Sequence, residues 1–429
     1  MRKESAMNAS LNPNLHPCFN AEAKGSYGRV HLPVAPHCNI KCNYCNRKYD
    51  CVNESRPGVT SAVLSPMQAC RYVEQVIERE PRITVVGVAG PGDPFANPEE
   101  TLETLRRIRQ KFPHLLMCLS TNGLGLMDHM DAIEEIGVSH VTITVNAVDP
   151  EIGQNVYGWV RDKKIIYRGL RGAELLLDRQ LRAIEGLKAR GVTVKVNTIV
   201  VPSVNDHHVE AIAARMSKLG VDVLNCMPMH PNAGTAFENV PEPGKEMMEE
   251  IRGKAERHLP QMRHCTRCRA DAVGLLGEDR SGELHGCLTA CASLPRDLAE
   301  RPHVAVATLE GLLVNQHLGE ALKFQVWGKS EQGFRLIEER TAPEPGGGLG
   351  RWERLAEVLK DCRAVLVAGI GDNPRRVLTM RGIEPMEMSG FIELGLEAVY
   401  SGRGAKELKA RKSGGCQKGF GCLGTGDGC

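Results

Sequence analysis

Charge of one sign is what this 429-residue sequence lacks: 54 basic side chains stand against 52 acidic ones, a net of +2. So even a balance gives nucleic acid or an anionic lipid surface no electrostatic footprint. Long apolar runs are missing too. No stretch approaches the roughly 18 uninterrupted apolar residues of a membrane span, and the opening MRKESAMNASLNPNLHPCF has no apolar core of signal-peptide length. The expected setting is therefore a reducing cytoplasm, with small molecules and other proteins as partners, no nucleic acid and no membrane.

What the chain does have is sixteen cysteines. Disulfide frameworks suit short secreted chains, so thiolate-bound metal is the expectation here. Apolar residues make up 42% of the composition, enough for a sizeable core, and the length fits roughly two domains.

Residues 1–29 read as an irregular extension, because Pro13, Pro17, Gly25 and Gly28 interrupt any helical period. Strand-like runs follow at 29–35, 82–89, 115–119, 140–146, 192–200 and 221–226. Amphipathic helices are predicted between them near 66–79, 98–111, 128–136, 174–190 and 206–219. Gly191 and Gly220 stand where a helix would end in a left-handed residue. Strand–helix alternation predicts an α/β fold with a parallel sheet, and six units fit a partial (β/α)6 barrel better than an eightfold one. The barrel and its extension are expected over 30–292. After a linker around 293–302, a small α/β domain is expected over 303–411. The tail, 412–429, ends in SGGCQKGFGCLGTGDGC, whose seven Gly and three Cys cannot build a core, so a flexible thiol-bearing segment is expected.

In parallel α/β folds chemistry sits at the carboxyl ends of strands. The polar and glycine-rich segments 37–45, 90–94, 120–123, 146–149 and 202–206 each follow a predicted strand. The first contains Cys38-Asn-Ile-Lys-Cys42-Asn-Tyr-Cys45. Three thiolates at that spacing can hold three irons of a [4Fe–4S] cube and leave the fourth open for S-adenosylmethionine (SAM). Structural zinc wants four closed ligands. This triplet, with Tyr44 before its last Cys, resembles the radical SAM superfamily. Gly90, Pro91, Gly92 and Asp93 resemble the stretch that contacts the SAM amino group there. Ser120, Thr121 and Asn122 stand where ribose and carboxylate contacts are expected, with Asn146 and Asn197 as weaker candidates for the same pocket.

Other cysteines exceed the needs of one cluster: Cys18, Cys51, Cys118, and the pair Cys265 and Cys268. Cys287 and Cys291 follow that pair, leaving a zinc ribbon as one alternative. Cys70 and Cys362 read as core or surface thiols, and Cys226 is ambiguous. His31 draws notice because it lies on the strand leading into the triplet.

The segments HPCFNAEA, RVHLPVAPHCNIKCNYCNRKYDCVNESRPGV, VAGPGDPFANP, STNGL, TVNAVDPEIG and HCTRCRADAVGLLGED are similar to the NifB family of nitrogenase-cofactor maturases, over about residues 16–291. The later domain resembles the NifX-like, ribonuclease H-like cofactor-binding module, most clearly at NQHLGEA. The resemblance implies a SAM-binding cluster on Cys38, Cys42 and Cys45 and two auxiliary [4Fe–4S] clusters. One of these would be held by His31, Cys51 and Cys118, the other by Cys18, Cys265 and Cys268, so that residues 1–29 are a cluster-binding extension. It further implies fusion of the two auxiliary units, with a SAM-derived carbide and an added sulfide, into an eight-iron precursor. Cluster donors, a reductant protein and cofactor carriers would be the partners. Glu54 and Arg56 are candidate proton acceptor and cluster contact, and His317 or the tail cysteines candidate contacts for the product. Two alternatives are another radical SAM enzyme, with an auxiliary cluster and a small organic substrate, and a non-catalytic iron–sulfur carrier.

Overall fold

Val, Ile and Leu alternating with smaller or polar residues make good strands when one face is to be buried. The computed structural model describes residues 12–53, 58–294, 301–330 and 333–401. The chain divides into two units, residues 1–292 and 293–429. In the first, six parallel strands lie side by side in chain order: β1 Gly28–His31, β2 Ile83–Val88, β3 Leu116–Thr121, β4 His140–Thr144, β5 Thr193–Val200 and β6 Val223–Pro228. An antiparallel hairpin, β7 Val273–Leu275 and β8 Glu278–Asp279, extends the β1 edge.

The helices of the first unit are Pro66–Arg79, Pro98–Lys111, Met130–Ile136, Gly169–Ala189, Val209–Lys218, Lys245–Glu256 and Ser281–Ala292, with a short seven-residue turn of helix at Pro150–Val156. Pro66–Arg79 begins with a reciprocal Ser65–Gln68 capping box and Pro66 in its first turn. Gly191 and Gly220, with φ of 72° and 73°, follow two of the helices in the left-handed region where glycine is free of Cβ strain. The predicted strand over 29–35 stops at His31, because Pro33 has no N–H for the ladder.

Side chains alternate across a sheet. Val86, Val88, Met117, Leu119, Val141, Ile143, Val194 and Val196 point one way into the main apolar core, shared with the helices. The intervening residues point the other way, and there the register aligns His31 with Gly87, Gly87 with Cys118, and Cys118 with His140. A three-stranded sheet unforeseen in the sequence, Ile40–Cys42 with Tyr157–Asp162 and Ile165–Tyr167, straps the cysteine triplet down.

In the second unit, five strands run in the order Gly333–Thr341, Lys323–Ser330, His303–Val306, Cys362–Val367 and Glu384–Glu387. His303–Val306 is antiparallel to Lys323–Ser330 and parallel to Cys362–Val367. No described helix in either unit is long and apolar enough to cross a membrane. Glu54, Arg56 and residues 412–429 lie outside the described residues.

One ion-pair cluster pins the hairpin to the sheet. Glu80, buried at the end of Pro66–Arg79, takes Arg82 at 2.7 Å and Arg280 at 2.9 Å. Hydrogen bonds from these guanidinium groups hold its carboxyl at about 2, below its ordinary 4.5. A depressed carboxyl stabilises fully above its unfolded pKa and loses that contribution as pH falls through the folded one. Glu80→Gln is thus expected to lower the melting temperature above about pH 5. The gap from the parent should narrow between about 4.5 and about 2, as followed by thermal melts of the full chain across that range.

Candidate radical SAM site and adjoining thiol cavity

Two cavities open on the polar side of the sheet. The first, of about 410 Å³, is lined by Cys38, Cys42, Cys45, Cys51, Asp93 and the Ser120–Asn122 segment, among others. Burial pushes the Cys38 thiol up to about 12, with Asp93 nearby adding to the effect; burial also raises Cys42. Such thiols stay protonated until a metal displaces the proton. The Asn122 amide lies 3.9 Å from the Cys38 sulfur, and the Asn53 amide 3.9 Å from the Cys42 sulfur. Both are placed to donate to a thiolate. Among the described residues no three His, Cys, Asp or Glu side chains converge on one point to hold a single ion. A four-iron cube takes each thiolate on a separate iron, so thiols spread around a cavity suit it.

Gly92 is there for the backbone. A Cβ on it would stand 2.0 Å from the His37 carbonyl oxygen and 2.8 Å from that of Ala35. The Gly92 and Asp93 amides donate to those two carbonyls, Ala35 at 2.6 Å and His37 at 2.7 Å. The missing Cβ lets the loop of Gly90, Pro91, Gly92 and Asp93 close on the segment leading into the triplet, and Gly92 also lines the first cavity. Asp93 is also spent internally. Its carboxylate accepts from Phe95 N at 2.9 Å, Thr121 Oγ1 at 3.0 Å and Asn122 N at 2.6 Å, and so locks the two loops together. The buried Ser120 hydroxyl has no partner among the described residues, an open polar contact of the kind a bound SAM would satisfy.

Asn146 lines neither cavity. It donates to the Tyr44 hydroxyl at 2.8 Å and accepts from Ile199 N at 2.8 Å, while Tyr44 donates to Asn53 at 2.6 Å. Asn197 donates to the Asn53 carbonyl at 3.0 Å and faces the second cavity.

That second cavity, of about 600 Å³, gathers Cys18, His31, Cys118, Cys265 and Cys268. Cys51 does not join them; it stands in the wall of the first. Arg269 O lies 3.1 Å from His31 Nδ1, so Nδ1 carries the hydrogen and Nε2 keeps the lone pair a metal needs. Burial, with Arg29 near by, lowers His31 to about 4, leaving the ring neutral at pH 7. The loops carrying Cys18 and Cys265 are tied by a 3.1 Å contact between His264 Nε2 and the Pro17 carbonyl.

Sequence reasoning missed the cations. Arg29, 1% exposed, donates to the Cys268 sulfur at 3.1 Å and to Leu275 O at 3.1 Å. Lys195, 8% exposed, stands over the Phe19 ring in the same cavity. The signal was present: Arg29 is two residues before His31, and Lys195 interrupts the apolar strand TVKVNTIV. A buried charge needs a partner, and no carboxylate is among the residues lining this cavity. The zinc-ribbon alternative fails, since Cys291 is buried in the main apolar core and Cys287 packs against it. Cys226 lies in that core too, and Cys362 in the core of the second unit. There, His317 packs against Gly369, where an added Cβ would come within 2.7 Å of the ring.

A cysteine triplet at the mouth of a parallel sheet, facing a strand end with an open polar contact at Ser120, is the arrangement of a radical SAM enzyme. Residues 32–216 match the Radical SAM superfamily, and residues 301–402 match the Dinitrogenase iron-molybdenum cofactor family. The chain is 51% identical over 424 residues to the FeMo cofactor biosynthesis protein NifB of Chlorobaculum tepidum, covering 98% of this chain and 100% of that one. It is 40% identical over 404 residues to NifB of Klebsiella pneumoniae, with 86% of each covered. Against NifB of Azotobacter vinelandii the identity is 37% over 428 residues, covering 90% and 87%. The chain belongs to the NifB family, the radical SAM proteins of iron–molybdenum cofactor biosynthesis.

Gly92→Ala tests the loop closure. It is expected to destabilise the chain by about 2 kcal/mol or more and to reduce iron held at the triplet. Denaturant melts and iron content check this. Gly253→Ala is the control: in a helix, with nothing within 4 Å of the added Cβ, it should cost nothing.

Proposed function

We propose that this chain fuses two [4Fe–4S] units, its cargo, into the eight-iron precursor of the nitrogenase iron–molybdenum cofactor. SAM is consumed twice as substrate, once for a methyl group and once for a radical that strips hydrogen from it. The methyl carbon, its two remaining hydrogens leaving as protons and the cargo irons supplying the electrons, becomes the central carbide, and an added sulfide completes the product. The resident cluster, when bound by Cys38, Cys42 and Cys45, supplies the electron and the open iron at which SAM is held.

The observation that carries this reading is Ser120, whose strand end belongs to the walls of both cavities. A group released on the triplet side is thereby next to whatever the thiol cavity holds. Gly90, Pro91 and Ser120–Asn122 are read as SAM contacts, with Asp93 fixing their loops. His31, Cys51 and Cys118 are read as one cargo ligand set, and Cys18, Cys265 and Cys268 as the other. Cys51, in the wall of the first cavity, then brings its cargo closest to SAM. Arg29 and Lys195 offset the negative charge of thiolate-bound clusters, and the apolar Val85 and Met227 in the wall keep water out. Glu54 and Arg56 complete the proposed set as proton acceptor and cluster contact.

The sheet is read as a partial six-unit barrel, and the second unit as a module that holds product before hand-off to a carrier. Cluster donors and a reductant protein in the cytoplasm are the other partners this reading calls for.

The test is anaerobic: reconstitute the full chain, add dithionite and methyl-labelled SAM, and quantify iron, 5′-deoxyadenosine and label in the extracted cluster. Roughly twelve irons per chain, with label retained in an eight-iron product, is the expected result, and Cys42→Ala should abolish 5′-deoxyadenosine. About four to eight irons with SAM still cleaved and no label in the cluster would instead move the substrate to a small organic molecule.

A further inference from the structure

Two histidines line the thiol cavity, and they present opposite nitrogens to it. The partner of His31 Nδ1 is a carbonyl, which can only accept, so its Nε2 is a bare lone pair. The partner of His16 Nδ1 is the backbone amide of Cys18, at 3.1 Å, which can only donate. Nδ1 of His16 therefore holds the lone pair, and in the neutral ring Nε2 carries the hydrogen. One ring is prepared to bind a metal; the other is prepared to donate.

That Nε2 of His16 is buried and has no hydrogen-bond partner among the described residues. Buried donors are nearly always satisfied, and an orphan calls for something that binds there. The ring is 2% exposed and gripped from two sides, edge-on to Phe19 at 4.6 Å and tilted over His140 at 4.5 Å. Phe19 N and Asn20 N both donate to the His16 carbonyl, at 3.1 and 3.0 Å, closing the turn that carries Cys18. The side chain is held in place, two residues from a thiol of the same cavity. Lys195 stands near it, Arg29 donates to the Cys268 sulfur of the same wall, and no carboxylate is among the lining residues. The missing acceptor is thus an anionic ligand of the cavity.

We propose that His16 donates a hydrogen bond from Nε2 to a sulfur of the iron–sulfur cargo held through Cys18, and is not itself an iron ligand. This rests on the functional reading above. Sulfur in such a cluster gains negative charge on reduction, so a donor aimed at it raises the reduction potential. His16 is then a binding residue that tunes and orients the cargo, which no spacing rule for metal ligands would reveal.

Two variants separate the donor from its surroundings. His16→Asn keeps an oxygen able to accept from Cys18 N, as an Asx turn does, and removes the distant N–H. His16→Phe keeps the aromatic stack and removes both nitrogens. Reconstituted as full chains, each is expected to retain the parent's iron content and to show a more negative midpoint potential for one auxiliary cluster. Each should also lose a proton coupling, exchangeable in D2O, that pulsed electron–nuclear resonance detects in the parent. Loss of about four irons in His16→Asn would make His16 a ligand and overturn the proposal. So would a potential and a proton coupling unchanged in both variants, which would leave the ring purely structural. If the parent itself loads only the triplet cluster, the functional reading falls and this inference with it. A fully loaded parent beside indistinguishable variants sinks this inference alone.

Discussion

Six parallel strands that bury aliphatic side chains against helices on one face must turn every second residue to the other face. That alternation is the constraint on which the rest of the first unit depends. It sends Val86 and Val88, Met117 and Leu119, Val194 and Val196 into the core. In the same stroke it lines up Gly87, Cys118, Ser120, Lys195 and Asn197 along one wall. A one-residue slip in register would exchange the two sets, putting a thiol and a cation into the apolar layer and valines into the cavity. The aliphatic core therefore fixes where the thiols stand, with no need for the thiols to find one another. Gly87 belongs to the same logic: an added Cβ would reach 3.3 Å from the His31 ring and 3.7 Å from the Cys118 Cβ. Its absence leaves room between two side chains that flank it in register.

Much of this was legible in the sequence. The six strands and the helices Pro66–Arg79 and Pro98–Lys111 follow from period-two and period-3.6 patterns closed by proline, serine and glycine. The cysteine triplet was legible because its spacing is local. What was not legible depends on contacts between distant segments. The strap of Tyr157–Asp162 against Ile40–Cys42 joins residues more than a hundred apart. The close approach of the His37 and Ala35 carbonyls to Gly92 was not legible, because sequence cannot tell which side of a residue a neighbouring backbone will occupy. Nor could it show that both ends of the Asn146 amide are engaged by Tyr44 and Ile199. Cys287 and Cys291 followed the CxxC pair at a plausible distance, yet helical packing took Cys291 into the core and Cys287 against it.

The electrostatics of the thiol cavity follow from its burial. Thiols out of water resist ionisation, and Cys18 is pushed up to about 12 by that burial. On the proposed reading the cavity accepts anionic cargo, and its lining offers positive charge with no carboxylate among it. Arg29 does so at short range through the Cys268 sulfur, held in turn by the hairpin carbonyl of Leu275. Lys195 does so from the neighbouring part of the sheet, beneath Phe19. Each cation is itself costly to bury; Arg29 is held by the hairpin carbonyls and by the charge of Asp279 near it. The ion pairs of Glu80 with Arg82 and Arg280 form a separate cluster that holds the hairpin, and with it the backbone partner of Arg29. The cation at Cys268 thus rests on a chain of contacts that ends at the edge of the sheet.

Histidine protonation completes the division of labour. A ring nitrogen is assigned its role by what the other nitrogen touches, and here both assignments are made by the backbone. The Arg269 carbonyl leaves His31 with a free lone pair, and the Cys18 amide leaves His16 with a free hydrogen. Because main-chain groups cannot change from donor to acceptor, neither ring can exchange roles without a change of backbone conformation. The loop that brings Cys18 into the cavity therefore fixes the character of His16 as well. On the proposed reading Cys18 supplies the bond to iron and its own amide sets the donor beside it, so one short turn would provide both a ligand and a contact for the sulfur that the ligand positions.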